Sequence, residues 1–190
     1  MLAKIIQEAT DAVSAAVRGA GDILDAVTGT VKDQVVNVLK GAGEVAGTGV
    51  ESIASIASGA VRGVGQVGAS ITDTAFGTMS GVVKGVSEVG GDVIGGIRGA
   101  AEGIVSATAE TGGDIGGAAV AAVQGAIKAA GETGADTSEA AKAAVGGTLS
   151  AATSVGGDAV QKVRDALVSS AALPRDVIES ALKGSDEEKK

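Results

Sequence analysis

The chain has 190 residues and a net charge of -8, with one aromatic side chain, Phe76, and neither cysteine nor histidine. That removes disulfides, thiol nucleophiles, imidazole bases and nearly every zinc, haem or iron–sulfur site. The acidic balance and the missing aromatics also argue against nucleic acid, which is held by cations on phosphates and by base stacking. We therefore expect no enzyme activity, no cofactor and no metal.

Residues 1–40 are poor in glycine and rich in good helix formers, so an N-terminal helix is expected there. Glu8 falls where a secretory signal would have its apolar core, and no later window offers about 18 uncharged apolar residues. The expected location is cytoplasmic, at most peripheral to a membrane or droplet, with no signal peptide and no transmembrane helix.

Residues 41–158 carry most of the 32 glycines and a repeat. Ala60-Val61-Arg62-Gly63-Val64 matches Val82-Val83-Lys84-Gly85-Val86 at an offset of 22, and the block recurs at Val38, Ile104, Ala126 and Thr148 without insertion or deletion. A looser half-copy lies between blocks, as at Ile71-Thr72-Asp73-Thr74-Ala75, so the elementary period is 11. With the 11 positions labelled a to k from Ala60, the apolar residues fall mainly at a, b, e and h. They form a stripe that includes Val38, Ile53, Val64, Val67, Ile71, Val82, Val86, Val89, Val93, Ile97 and Ile104. Steps of three and four residues are helical, and 11 residues over three turns, about 3.67 per turn, keep such a stripe nearly straight.

Charge follows the same register. Position c is basic at Lys40, Arg62, Lys84 and Lys128; g is acidic at Asp33, Glu88, Glu110 and Glu132; k adds Asp92, Asp114, Asp136 and Asp158. Basic c precedes acidic g by four residues, the weaker orientation for a pair within one helix, so these charges are expected mainly to wet one face. Because a tight hairpin usually shifts register and none is visible, the pattern favours a very long amphipathic helix, on the order of 250 Å if straight. The Gly–Gly steps Gly90-Gly91, Gly95-Gly96, Gly112-Gly113, Gly146-Gly147 and Gly156-Gly157 are the places where it would bend into a folded bundle.

Residues 159–184 read as conventional amphipathic helices interrupted at Pro174, and 185–190 as a charged tail. The fold class expected is therefore all-α: a long helix, continuous or bent, packed in an oligomeric bundle or on an apolar surface.

Two apparent motifs dissolve in the repeat. Gly63-x-Gly65-x-x-Gly68 has the spacing of a dinucleotide fingerprint but lacks the strand that the fingerprint needs. The carboxylates Asp114, Glu132 and Asp136 recur at a spacing that separates like members by about 33 Å on a straight helix. The four-apart glycines Gly77, Gly81 and Gly85, and Gly91, Gly95, Gly99 and Gly103, are a stronger signal, because a smooth ridge lets a second helix backbone approach closely.

At Gly81-Val82-Val83-Lys84-Gly85-Val86 and Ala60-Val61-Arg62-Gly63-Val64 the sequence resembles the 11-residue repeats of synucleins, and its period is similar to that of apolipoproteins and perilipins. The resemblance implies a chain that becomes helical on lipid, although the Lys-Thr-Lys-Glu element of synucleins is missing, and with it the polybasic face that attracts anionic lipid. The residues themselves point to a structural repeat protein that self-associates through its small-residue apolar face into a bundle, stalk or filament. The alternative is an amphipathic coat on a lipid droplet, polymer granule or membrane surface. The partner expected first is a second copy of the chain.

Overall fold

The computed structural model describes residues 2–19, 23–42 and 46–187. Residues 1, 20–22, 43–45 and 188–190 lie outside the described set, as do the side chains of residues 2, 14–19, 42, 46–48, 67 and 185–187. Among the described residues there are nine helices: α1 (Leu2–Gly19), α2 (Ile23–Ala42), α3 (Ala46–Val67), α4 (Ile71–Glu88), α5 (Val93–Glu110), α6 (Ile115–Thr133), α7 (Thr137–Val155), α8 (Gly157–Ser169) and α9 (Arg175–Glu187).

The continuous long helix expected from the unbroken register is not what forms. The helices stop about every 22 residues, because each repeat carries its own stop and start signals. Gly68, Gly90, Gly112 and Gly134 take φ of 72°, 69°, 71° and 78°, a left-handed conformation that side-chain-bearing residues resist. One residue later an N–H bonds back across the turn: Ala69 to the Val64 carbonyl, Gly91 to Val86, Gly113 to Thr108 and Ala135 to Ala130, at 2.9–3.3 Å. This closes the helix end with a Schellman-type bond. The next residue but one after the glycine is the N-cap of the following helix: Ser70, Asp92, Asp114 or Asp136. Asp92 accepts from the Gly95 N–H at 3.0 Å, and Asp136 from Ser138 and Glu139 at 2.8 and 2.9 Å.

From the start of α4 to the start of α7 helix plus connection totals 22 residues, one repeat, so the turn recurs at constant phase and leaves no shift in the register. Of the Gly–Gly steps, Gly90-Gly91, Gly112-Gly113 and Gly156-Gly157 do mark connections, whereas Gly95-Gly96 and Gly146-Gly147 lie inside α5 and α7.

Each helix through α5 packs most extensively on the helix two along the chain, α1 on α3, α2 on α4 and so on, and less on its immediate neighbour. Odd helices form one layer and even helices the other. Within a layer the helices are parallel: Gly77, Gly81 and Gly85 of α4 face the carbonyls of Leu24, Thr28 and Lys32 of α2 in ascending order. The intervening helix must therefore run back in the other layer. Between the layers lies one core, built from Ile53, Ile56, Val61, Val64, Met79, Val82, Val83, Ile97, Ile104 and Val105, and continued in α6 and α7 by alanines such as Ala119, Ala122, Ala126, Ala140 and Ala144. Quasi-linear stacking of this kind lets each repeat bury its apolar stripe on its neighbours within one chain, which a lone Ala-rich helix cannot do.

Candidate functional site

The stripe read from the sequence is used inside the molecule. Ile53, Val64, Val82, Val86, Ile97 and Ile104 are buried in the core, and Val38, Ile71, Val89 and Val93 are half-buried. Val67 belongs to α3, but its side chain is outside the described set.

The glycines divide into two groups. A methyl group built on Gly77, Gly81 or Gly85 would stand 3.2, 2.6 or 2.9 Å from a carbonyl oxygen of α2, and one on Gly99 would stand 2.8 Å from Val50 O of α3; one on Gly103 would collide with Ala54 O. These five let neighbouring backbones touch. Gly91 instead sits in the α4–α5 connection against Val86, and Gly95 sits over its own cap, Asp92. A search for runs four apart overlooks the full set. Gly59, Gly81, Gly103, Gly125 and Gly147 occupy one position in five successive repeats, each buried over a carbonyl of the helix two earlier: Ile6, Thr28, Ala54, Phe76 and Arg98. Their spacing of 22 was the available signal. From Gly103 onward the facing carbonyl comes one helical turn later in register than for Gly59 and Gly81.

On the outer face of α2, which has no helix two earlier, and on the face that α8 turns to α6, polar residues replace these small ones. The positions of Gly77 and Gly81 are held in α2 by Asp33 and Asn37, and in α8 by Asp165 and Ser169, all four exposed. At the α2 end this gives the polar outer face that a terminal repeat needs to stop further stacking.

The charges at c and g meet, though mostly not within one helix. Arg62 of α3 pairs with Glu110 of α5, and Lys84 of α4 with Glu132 of α6 at 2.9 Å; Lys32 of α2, which is not at c, reaches Glu88 of α4 at 2.9 Å. Lys128 adds a looser pair with Glu132 at 3.9 Å inside α6 and stands 5.5 Å from the centre of the Phe76 ring. The hydrogen bond from Lys32, and then its charge, hold the Glu88 carboxyl below the usual glutamate range; Lys84 does the same for Glu132; Glu88 in turn raises Lys32. Among the described residues no group of three or more carboxylates is placed to hold a metal ion, and no helix is long and apolar enough to cross a membrane.

The stacking loosens at α8 and α9. A groove of about 1120 Å³ opens along the odd layer, where Arg98, Glu139 and Lys142 face Asp176, Glu179 and Lys183. A second of about 770 Å³ lies between α6 and α8, among Asp114, Gly117, Gln124, Lys162 and Asp165. Both are lined by mixed charge, with no nucleophile paired to a base.

No family model matches the sequence, and no curated protein matches it. Among solved structures, the crystal structure of the de novo designed helical repeat protein DHR7 is similar over 100% of this chain and 99% of that one, with a TM-score of 0.53 and 17% identity. At that identity the likeness concerns the fold: this chain is a helical repeat protein.

Proposed function

We propose that the chain is a structural protein without catalytic activity, and that it works by self-association. The observation that carries the reading is the shared glycine position of Gly59, Gly81, Gly103, Gly125 and Gly147. The chain's most specific chemistry is spent on one generic contact, helix backbone on helix backbone, that any repeat can offer to any other. Such contacts are made first within the chain, and the same surfaces serve between copies whenever a helix pair of one molecule replaces its equivalent in another. A lipid coat would instead need the buried stripe of Ile53, Val64, Val82, Ile97 and Ile104 turned outward, with the stack opened along its length.

Sedimentation velocity of the pure protein across a wide concentration range tests the proposal. Reversible or kinetically trapped dimers and larger species at tens of micromolar are expected. A monodisperse monomer at every concentration, including after refolding from denaturant, overturns it.

A further inference from the structure

The exposed Asp33 and Asn37 at the α2 end discourage simple end-to-end stacking there, so self-association needs another route, and the α7–α8 connection supplies one. The four preceding connections share a glycine near φ 70°, a back-bond across the turn and a Ser or Asp N-cap. This one is a single residue, Gly156, at φ 144° and ψ 168°, a region open essentially to glycine alone. Its N–H bonds to Ala152 O at 3.0 Å, and α8 begins at once with no side-chain cap. Asp158, which holds the position of the caps Asp92, Asp114 and Asp136, is drawn into the first turn of α8.

Beyond this hinge, α8 meets α6 through one buried glycine, Gly116, whose added methyl would stand 3.2 Å from Lys162 O, and the two grooves open beside the α8 and α9 contacts with α6 and α7. Val155, next to the hinge, is 46% exposed and is one of only two large apolar side chains exposed among the described residues. The register is continuous across the elbow: Leu149, Ala152, Ala159, Val163 and Leu167 are all buried and would share one stripe if α7 and α8 straightened into a single helix.

We propose that the α8–α9 pair exchanges between two copies of the chain by straightening at Gly156. The inference rests on the self-association reading and specifies its partner, a second copy whose α8–α9 takes the place of the chain's own on α6 and α7. The contact is already established within one chain, so the exchanged dimer keeps it; it also releases the strained hinge and brings Val155 of the two copies near the crossing of the new long helices. A short, strained hinge favours this exchange, and two-fold reciprocity closes it at a dimer.

The absence of cysteine gives a direct test. A methyl built on Gly116 lies 3.0 Å from Ala166 Cβ across the α6–α8 contact, close enough that a small shift accommodates a disulfide. The full-length G116C/A166C variant is refolded at high concentration in reductant, separated by size and oxidised. In an exchanged dimer the bonds join different chains, so the dimer survives denaturant and falls to monomer on reduction. Bonds found only within chains, in a dimer that denaturant dissociates, overturn the exchange and leave self-association standing; monomer alone overturns both. In the same background G156A should favour the straight hinge and tighten dimerisation about tenfold. An unchanged proportion of cross-linked dimer counts against the hinge.

Discussion

The α4–α6 and α6–α8 contacts join helices of the same layer, one step apart, and they are built differently. In the first, Gly125 lies over Phe76 O with Met79 beside it, and Lys84 reaches Glu132. In the second, the position of Gly125 is held by the exposed Ser169; the close approach falls instead at the buried Gly116 of α6, where an added methyl would stand 3.2 Å from Lys162 O, and a groove opens beside it. The comparison shows that glycine in this protein is not slack. Where a helix must touch the backbone two along, the missing side chain is the contact, and at the α6–α8 step the earlier helix supplies it.

Substituting the glycines by alanine breaks the comparison most strongly. Alanine is the better helix former, so a glycine that merely loosens its helix should give stability when replaced, by about 0.5–1 kcal/mol. That is expected for Gly29 of α2, where an added methyl meets nothing within 4 Å. At Gly125 the methyl would stand 2.7 Å from a carbonyl oxygen, and overpacking of this sort costs about 1–3 kcal/mol. Thermal or denaturant melts should therefore place G29A above the parent and G125A well below it. Equal effects at the two sites would mean that the glycines are incidental.

The caps sharpen the comparison at the level of single connections. Asp136 accepts two backbone N–H groups at the start of α7, whereas Asp114 occupies the same position of α6 without a side-chain cap bond. Removing a working cap typically costs about 1 kcal/mol. D136A should lower the melting temperature clearly and D114A much less; equal losses would show that the connections hold by their glycines alone.

Much of this was legible in the sequence and some was hidden by its regularity. Helical class, period and the identity of the stripe all follow from apolar steps of three and four residues. The turns do not, because Gly90-Gly91-Asp92-Val93 and Gly112-Gly113-Asp114-Ile115 sit at the same phase of every unit and so leave the register intact. The aspartates at k were visible as charge, but their work as caps depends on the left-handed glycine two residues earlier, a backbone state that periodicity does not report. The c and g charges invited pairing at four residues. Folding instead carries Arg62 to Glu110, 48 positions away, because the helix that follows in the layer is two repeats along. The glycine ridge pointed correctly to close helix contact but not to whose helix, since a stripe of small residues is equally suited to a partner inside or outside the chain.

The ion pairs offer the mildest test, since a well-packed step can do without one: Ser106 and Ser154 stand where α5 and α7 would form the next, beside the close contact of Gly147. Lys84 and Glu132 are each about two-fifths exposed, so water and salt screen them. The sign of their pH dependence is nevertheless definite. Because the Glu88 and Glu132 carboxyls are held below the usual glutamate range, their contribution is fully present above about pH 4.3 and is lost as pH falls through the lowered values. Lys32 is raised, so its contribution is fully present below about pH 10.4 and is lost only as pH rises through the raised value. Melting temperature should be flat across neutral pH and decline on acidification. In E132Q the neutral-pH value should drop by less than in D136A, and the acid decline should be shallower than in the parent, because one of the groups that must be protonated is gone. An unaltered acid slope would assign the decline to other carboxylates and leave the cross-helix pairs a matter of register alone.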